Sequence, residues 1–340
     1  MRVLLTGVSS FLGAHTAIQL LEKGYQVVGT LRDIGRANDM RTIIGQHTDK
    51  IEQLAFVEAD LADTAIWDKL VEGVDFVQHI ASPFPHGEPT HEANVIVPAK
   101  EGTLAILKAA SKHQLKRVVL TSAIGASFYG KPKGQQSGVY DETVWTDETN
   151  RADTTAYYRS KTIAEKAAWA FMEQDASGLE LTTVLPGALL GPVLEKDYGH
   201  TPEIILNLLN RRVPAVPNVG FDLVDVRSAA DLLLRAMEAS QAAGQRFLGT
   251  AGYLSFRQIA ALLNENYPDR KIPSGTIPSW LLQVLGWFDP SLAAVVVDLD
   301  KERKGNSNKA KQLLDWQPIN SREAVLSCAD SMFRVGLISE

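Results

Sequence analysis

The chain has 340 residues, 45% hydrophobic and 22% charged, and a formal net charge of −6. This composition excludes long disorder, and an acidic balance without a basic stripe excludes a nucleic-acid surface. The single cysteine, Cys328, excludes an internal disulfide and a thiolate metal cluster, so no metal site is expected.

The length allows one large core plus a smaller unit. No apolar window approaches the roughly 18 residues of a membrane span. The first residues, Arg2 followed by an apolar run, are interrupted by a glycine turn, and the helix after it carries Gln19, Glu22 and Lys23; this is not the pattern of a signal peptide. Together with the lone thiol, it fits a reducing cytoplasm.

The first thirty-odd residues organise the chain. Residues 2–6 (RVLLT) read as a buried strand, residues 14–23 as a helix with one apolar face, and residues 25–30 as a second strand. Between the first strand and the helix lies Thr6-Gly-Val-Ser-Ser-Phe-Leu-Gly13, a G-x-x-G-x-x-G pattern with Ser10 in the middle place. Gly7 can take a backbone shape closed to side chains. Gly13 lets the helix approach the sheet. Unpaired N–H groups at the helix start, with the helix dipole, attract a pyrophosphate.

Arg32 follows the second strand, with Arg36 four residues on. In a dinucleotide-binding fold an acidic residue here takes the ribose 2′-hydroxyl of NAD, whereas arginine accommodates the 2′-phosphate of NADP. Arg32 therefore points to NADPH, or else it is a solvated surface arginine; the neighbouring Asp33 pulls the other way. Residues 54–58 read as a third strand ending at Asp60. That residue either meets adenine or caps a helix over 64–72. A fourth strand over 74–80 is broken by Ala81-Ser-Pro-Phe-Pro85. His79 and His86 lie near this edge, and a lone strand histidine gives no reason to assign a catalytic role.

A helix is expected over 94–113 despite Pro98 and Gly102, and a fifth strand over 117–121. A polar segment, 127–154, reads as a long loop, which in a compact domain is usually functional. A strong helix signal over 155–174 contains Tyr157 and Lys161, and residues 179–185 read as a sixth strand. Alternating strands and helices imply a doubly wound, parallel α/β sheet of Rossmann type. Beyond Gly191 the pattern turns mostly helical, over 202–210, 228–239, 256–266, 278–286, 308–314 and 322–335, with 246–250 as one more core strand. The expected division is residues 1–190 as a dinucleotide-binding domain, with 222–250 returning to it. Residues 191–221 and 251–340 would form a smaller substrate-binding domain.

Tyr157 and Lys161 are one helical turn apart and share a face. A nearby ammonium should lower the phenol pKa, so the pair can give a proton to a carbonyl oxygen. Lysine, with three donors, also suits a ribose hydroxyl. A hydroxyl at the end of the fifth strand would steady a developing oxyanion, and Ser122 is the nearest. Tyr158 is out of register with Lys161 and reads as packing or pocket lining. Phe128, Tyr129, Trp145, Tyr198 and Phe221 are candidates for a substrate pocket, although core packing is the commoner role for each singly.

On these segments the chain resembles the extended short-chain dehydrogenase/reductases, and within them the dihydroflavonol 4-reductase-like aldehyde and ketone reductases. The matching stretches are the turn 6–13, Thr30-Leu-Arg-Asp33, Asp60-Leu61, Pro98-Ala-Lys-Glu-Gly-Thr103, Val118-Val-Leu-Thr-Ser122, Tyr157 with Lys161, 164–169, 186–192 and Asp225-Val-Arg227, with a looser match at 307–311. The resemblance implies a Ser-Tyr-Lys triad (Ser122, Tyr157, Lys161) and NADPH, with hydride delivered to a small-molecule carbonyl substrate. It further implies that Gly7, Ser10, Phe11, Leu12 and Gly13 wrap the pyrophosphate and that Asp60 and Leu61 lie at adenine. Ala81, Pro186, Gly187 and Leu189 would border the nicotinamide half. A homodimer is compatible with the family.

One position departs. The family reads Thr-Ser-Ser after the fifth strand and uses the second serine, whereas this chain reads Thr121-Ser122-Ala123. Either Ser122 substitutes, or another hydroxyl or a water does, or the oxyanion donor is weaker. Two rival readings follow: a nucleotide-sugar epimerase or dehydratase that retains NAD, and a non-catalytic NADP sensor.

Overall fold

The computed structural model describes residues 1–83, 89–286, 288–289 and 292–339. His86 and part of the expected break after the fourth strand lie outside them.

The N-terminal half builds a sheet by repetition of strand and helix: β1 (Arg2–Thr6), α1 (Phe11–Glu22), β2 (Gln26–Leu31), α2 (Ala37–Gly45), β3 (Leu54–Glu58), α3 (Ile66–Leu70), β4 (Phe76–His79), α4 (Ala93–Lys112), β5 (Arg117–Thr121), β6 (Gly138–Tyr140), α5 (Ala156–Met172) and β7 (Glu180–Pro186). Then follow β8 (Ala188–Leu190), α6 (Glu203–Leu209), β9 (Val216–Pro217), β10 (Gly220–Asp225), α7 (Val226–Glu238), β11 (Arg246–Gly249), β12 (Gly252–Ser255) and α8 (Phe256–Asn266). The chain ends with β13 (Thr276–Ile277), α9 (Ser279–Gly286), α10 (Ala293–Asp298), β14 (Arg303–Gly305), α11 (Asn308–Leu314) and α12 (Ser321–Arg334).

Among the described residues the main sheet has seven parallel strands in the order β11-β7-β5-β4-β1-β2-β3. The order reverses between β1 and β4, and in open α/β sheets ligands bind in the crevice at that switch. Side chains alternate between the two faces. Val3, Leu5 and Val27 enter one core with α1, α2 and α7, while Leu4, Val28 and Val118 enter another under α3, α4 and α5. Both faces are covered, so the strands read as continuous apolar runs rather than alternating ones. A further core unites α6, α8 and α12 with β8 and β10.

Three expectations need correction. First, 246–250 is not the only strand after residue 191. Gly220–Asp225 forms the centre of a three-stranded sheet, parallel to β8 and antiparallel to β12. The start of the expected return segment 222–250 thus lies in this small sheet, and β11 is the part that joins the main one. Two aspartates disguised β10: Asp222 accepts from the backbone N–H of Gly252, and Asp225 caps α7 and pairs with Arg227. Second, the 127–154 segment is not an irregular loop throughout; β6 pairs in parallel with β14, some 165 residues later by the Gly138–Arg303 register. Third, α2 and α10 were not anticipated.

Candidate active site

The turn between β1 and α1 has the expected shape. Gly7 has φ +72°, and a Cβ there would come within 3.1 Å of the Ala81 backbone. A Cβ on Gly13 would lie 2.1 Å from the Gly7 carbonyl oxygen. Ser10, in the middle glycine's place, is the N-cap of α1: its Oγ accepts from the Gly13 N–H at 3.0 Å and donates to the Gly7 carbonyl at 2.8 Å. The first turn of α1 carries no acidic residue. A helix start with glycines at its two close backbone approaches and no negative charge in its first turn fits a pyrophosphate.

At the end of β2, Arg32 is exposed and makes no hydrogen bond or ion pair among the described residues, whereas Arg36 is bound to Glu195 at 2.6 Å and Asp197 at 3.1 Å. Asp33 turns onto the Gly35 N–H at 2.8 Å. Asp60 does not cap α3; its carboxylate closes a turn on the Ala62 N–H at 2.8 Å. Leu61 packs against Gly102 of α4.

A cleft of about 600 Å³ opens at the C-terminal ends of the strands. Ser10, Phe11 and Leu12 line it from the start of α1, Tyr157 and Lys161 from α5, and Pro186, Gly187 and Leu189 from the end of β7 and β8. Thr155 caps α5 by accepting from the Tyr158 N–H, which sets Tyr157 in the first turn, facing the cleft. Lys161 is buried and donates to the Thr121 carbonyl at 2.8 Å, pinning α5 to the end of β5. Burial pushes the Lys161 ammonium down to about 8 and the Tyr157 phenol above its ordinary value. Acidification of the phenol by Lys161 was expected; burial instead raises its pKa. The phenol is protonated at neutral pH, the form a proton donor needs.

Ser122 is buried, and its Oγ donates at 2.7 Å to Oε2 of Glu165 rather than to the cleft. Its proton is already placed. Ala123, also on the cleft wall, has none to offer. His79 accepts or donates with Thr6 Oγ1 at 2.8 Å and with Thr103, and burial drives its pKa down to about 3, so it is a neutral packed residue.

Of the aromatic candidates, Tyr129, Tyr198 and Phe221 line the cleft, as does Tyr158, which stacks on Tyr129 at 4.0 Å. Phe128 and Trp145 do not. Phe128 is fully buried against Tyr140, and Trp145 lies beneath the Arg246 guanidinium at 3.5 Å. Phe256 and Val295, from the last third of the chain, complete the apolar wall and were missed. Phe256 opens a helix expected from the sequence and reads there as ordinary core, whereas Val295 lies on α10, which the sequence does not predict. No cluster of metal-ligating side chains occurs among the described residues, and no helix there is long and apolar enough to cross a membrane.

The model of the NAD dependent epimerase/dehydratase family matches residues 3–248. A cinnamoyl-CoA reductase of Medicago truncatula is 34% identical over 278 residues, covering 80% of this chain and 82% of its own. An NADPH-dependent methylglyoxal reductase of Saccharomyces cerevisiae is 30% identical over 352 residues, covering 98% of both chains. The crystal structure of yeast methylglyoxal/isovaleraldehyde reductase Gre2 complexed with NADPH superposes with a TM-score of 0.83 at 25% identity, over 99% of each chain.

Proposed function

Since the chain belongs to the NAD dependent epimerase/dehydratase family, the extended short-chain dehydrogenase/reductases, we propose that it is an NADPH-dependent oxidoreductase reducing an aldehyde or ketone to an alcohol. The observation that carries the reading is that Tyr157 and Lys161 line the same cleft as the start of α1.

When bound, NADPH supplies the hydride. Gly7, Ser10, Phe11, Leu12 and Gly13 would hold its pyrophosphate, and Arg32 its 2′-phosphate. Ala81, Pro186, Gly187 and Leu189 would border the nicotinamide half. Arg32, in place of an acidic side chain, supports a reductase over an NAD-retaining epimerase. The Tyr157 hydroxyl gives its proton to the carbonyl oxygen, and the Lys161 ammonium stabilises the phenolate left behind. Residues 191–225 and 251–340 serve as the substrate-binding part; Tyr198, Phe221, Phe256 and Val295 on the cleft wall support that reading. Among the described residues these walls are largely apolar and bring no acidic side chain, which favours an uncharged carbonyl compound. The lone thiol, Cys328, is buried, in keeping with a cytoplasmic enzyme.

The test is Tyr157→Phe, assayed with NADPH and a panel of aldehydes and ketones. Turnover should fall by about 10²–10⁴-fold while NADPH still binds and the circular dichroism spectrum is unchanged. Undiminished turnover in a folded variant would remove Tyr157 as the donor.

A further inference from the structure

We propose that Glu165 is a positioning residue for this reaction: its carboxylate keeps Lys161 charged and holds the proton of the Ser122 hydroxyl. The inference rests on the reading of Tyr157 and Lys161 as the reacting pair.

Glu165 lies one turn beyond Lys161 on α5, so the two share a helix face. Both line a small polar recess of about 10 Å³ behind the cleft, enough for about one water. Glu165 is fully buried. Its Oε1 accepts from Thr183 Oγ1 at 2.7 Å, from Arg246 Nε at 2.8 Å and from Trp169 Nε1 at 3.4 Å. Its Oε2 accepts from Ser122 Oγ at 2.7 Å and Arg246 Nη2 at 3.3 Å. Every partner is a donor, which is the surrounding of a carboxylate and not of a carboxylic acid.

The groups that face Lys161 are few. Its own helix brings Tyr157 and Glu165, and β4 brings His79. β11 brings Arg246, behind Glu165. From α4 come Ala99 and Thr103, and from β5 the Thr121 carbonyl and Ser122, none of which titrates near neutrality. His79 is neutral, and Tyr157 is a protonated phenol. Among the described residues Glu165 therefore supplies the negative charge opposite Lys161 in a site with little water to screen it. Burial lowers the lysine and Glu165 opposes that lowering.

The same carboxylate fixes Ser122. The serine backbone N–H is spent on the Val184 carbonyl and its Oγ on Glu165. One side chain thus sets the protonation of one candidate group and withdraws another.

The experiment compares Glu165→Gln with Thr183→Val, which removes a hydrogen bond to Glu165 but leaves its charge. Two quantities are followed from neutral to alkaline pH: the NADPH dissociation constant without carbonyl compound, by fluorescence titration, and kcat and KM in reduction. The alkaline midpoint of both should move down by about one pH unit in Glu165→Gln, with the loss in kcat rather than KM. It should stay in place in Thr183→Val. Where Glu165→Gln does not fold, Glu165→Asp and Glu165→Asn, nearly equal in size and different in charge, are compared instead, and their midpoints should differ by a similar amount. Equal midpoints within either pair overturn the inference and leave Glu165 a packing residue. If Tyr157→Phe abolishes turnover while the Glu165 midpoints coincide, only this inference falls; if Tyr157→Phe stays active, the functional reading falls with it.

Discussion

Ser122 and Glu165 are joined by a buried 2.7 Å hydrogen bond from the serine Oγ to a carboxylate oxygen 43 residues further along the chain. That bond separates the two serines of the family pattern. The hydroxyl this chain keeps is committed to Glu165, and the second serine's place, on the same cleft wall, is Ala123.

Restoring the second hydroxyl should therefore help. Ala123→Ser is expected to raise kcat by about 10-fold or more, since one oxyanion donor is typically worth about 10²–10³. Steady-state kinetics on a saturating carbonyl substrate checks it. Ser122→Ala takes one donor from the buried carboxylate and should cost about 1–2 kcal/mol of stability, read from urea unfolding.

Arg32, at the end of β2, has no ion-pair partner among the described residues, and Arg36 is occupied by Glu195 and Asp197. Arg32→Ala should weaken NADPH binding by about 10-fold, the worth of one charge-assisted hydrogen bond, and leave NADH binding nearly as it was. Fluorescence titration with both nucleotides decides it. Equal weakening of the two would show that Arg32 does not meet the 2′-phosphate.

Gly13→Ala places a methyl group where the Gly7 carbonyl oxygen stands. The turn must open to admit it, so the substitution should destabilise the protein by about 1–3 kcal/mol, as overpacking does, and abolish tight dinucleotide binding. Calorimetric titration of NADPH into a variant shown to be folded is the measurement.

His15 is held neutral inside the protein. Its ring contacts the Pro192 carbonyl at 2.9 Å, and burial drives its pKa from 6.5 down to about 4. The unfolded chain binds this proton at higher pH than the folded one does. The associated stability is complete above pH 6.5 and is lost as the pH falls through about 4. The unfolding free energy of wild type minus that of His15→Asn should therefore decline across this window by about 3 kcal/mol and be flat above it. Denaturant titrations at several pH values would reveal a flat difference throughout if His15 were solvated.

Much of the fold was legible because its signals are local. The main-sheet strands are continuous apolar runs, and α1, α4, α5 and α8 carry one apolar face each. Strand β10 was hidden because Asp222 and Asp225 look like turn residues until their partners, the Gly252 N–H and Arg227 on α7, are in place. Trp145 and Phe128 could not be told from pocket residues, since an aromatic side chain carries no mark of what covers it. Arg246 from β11 covers the first and Tyr140 packs on the second.

The linear chain alone determined the β1–α1 turn, the alternation of strand and helix, and the shared face of Tyr157 and Lys161. Each depends on backbone geometry over a single turn or on side-chain spacings of two and four residues. Only the tertiary structure decided where the Ser122 proton goes, which arginine after β2 is taken up by ion pairs, and which aromatics face the cleft. These outcomes turn on hydrogen-bond and ion-pair partners such as Glu165 with Arg246, 81 residues apart, or Arg36 with Glu195, 159 apart. At such separations no periodicity survives, and a polar group goes to whichever partner the packed sheet brings within about 3 Å.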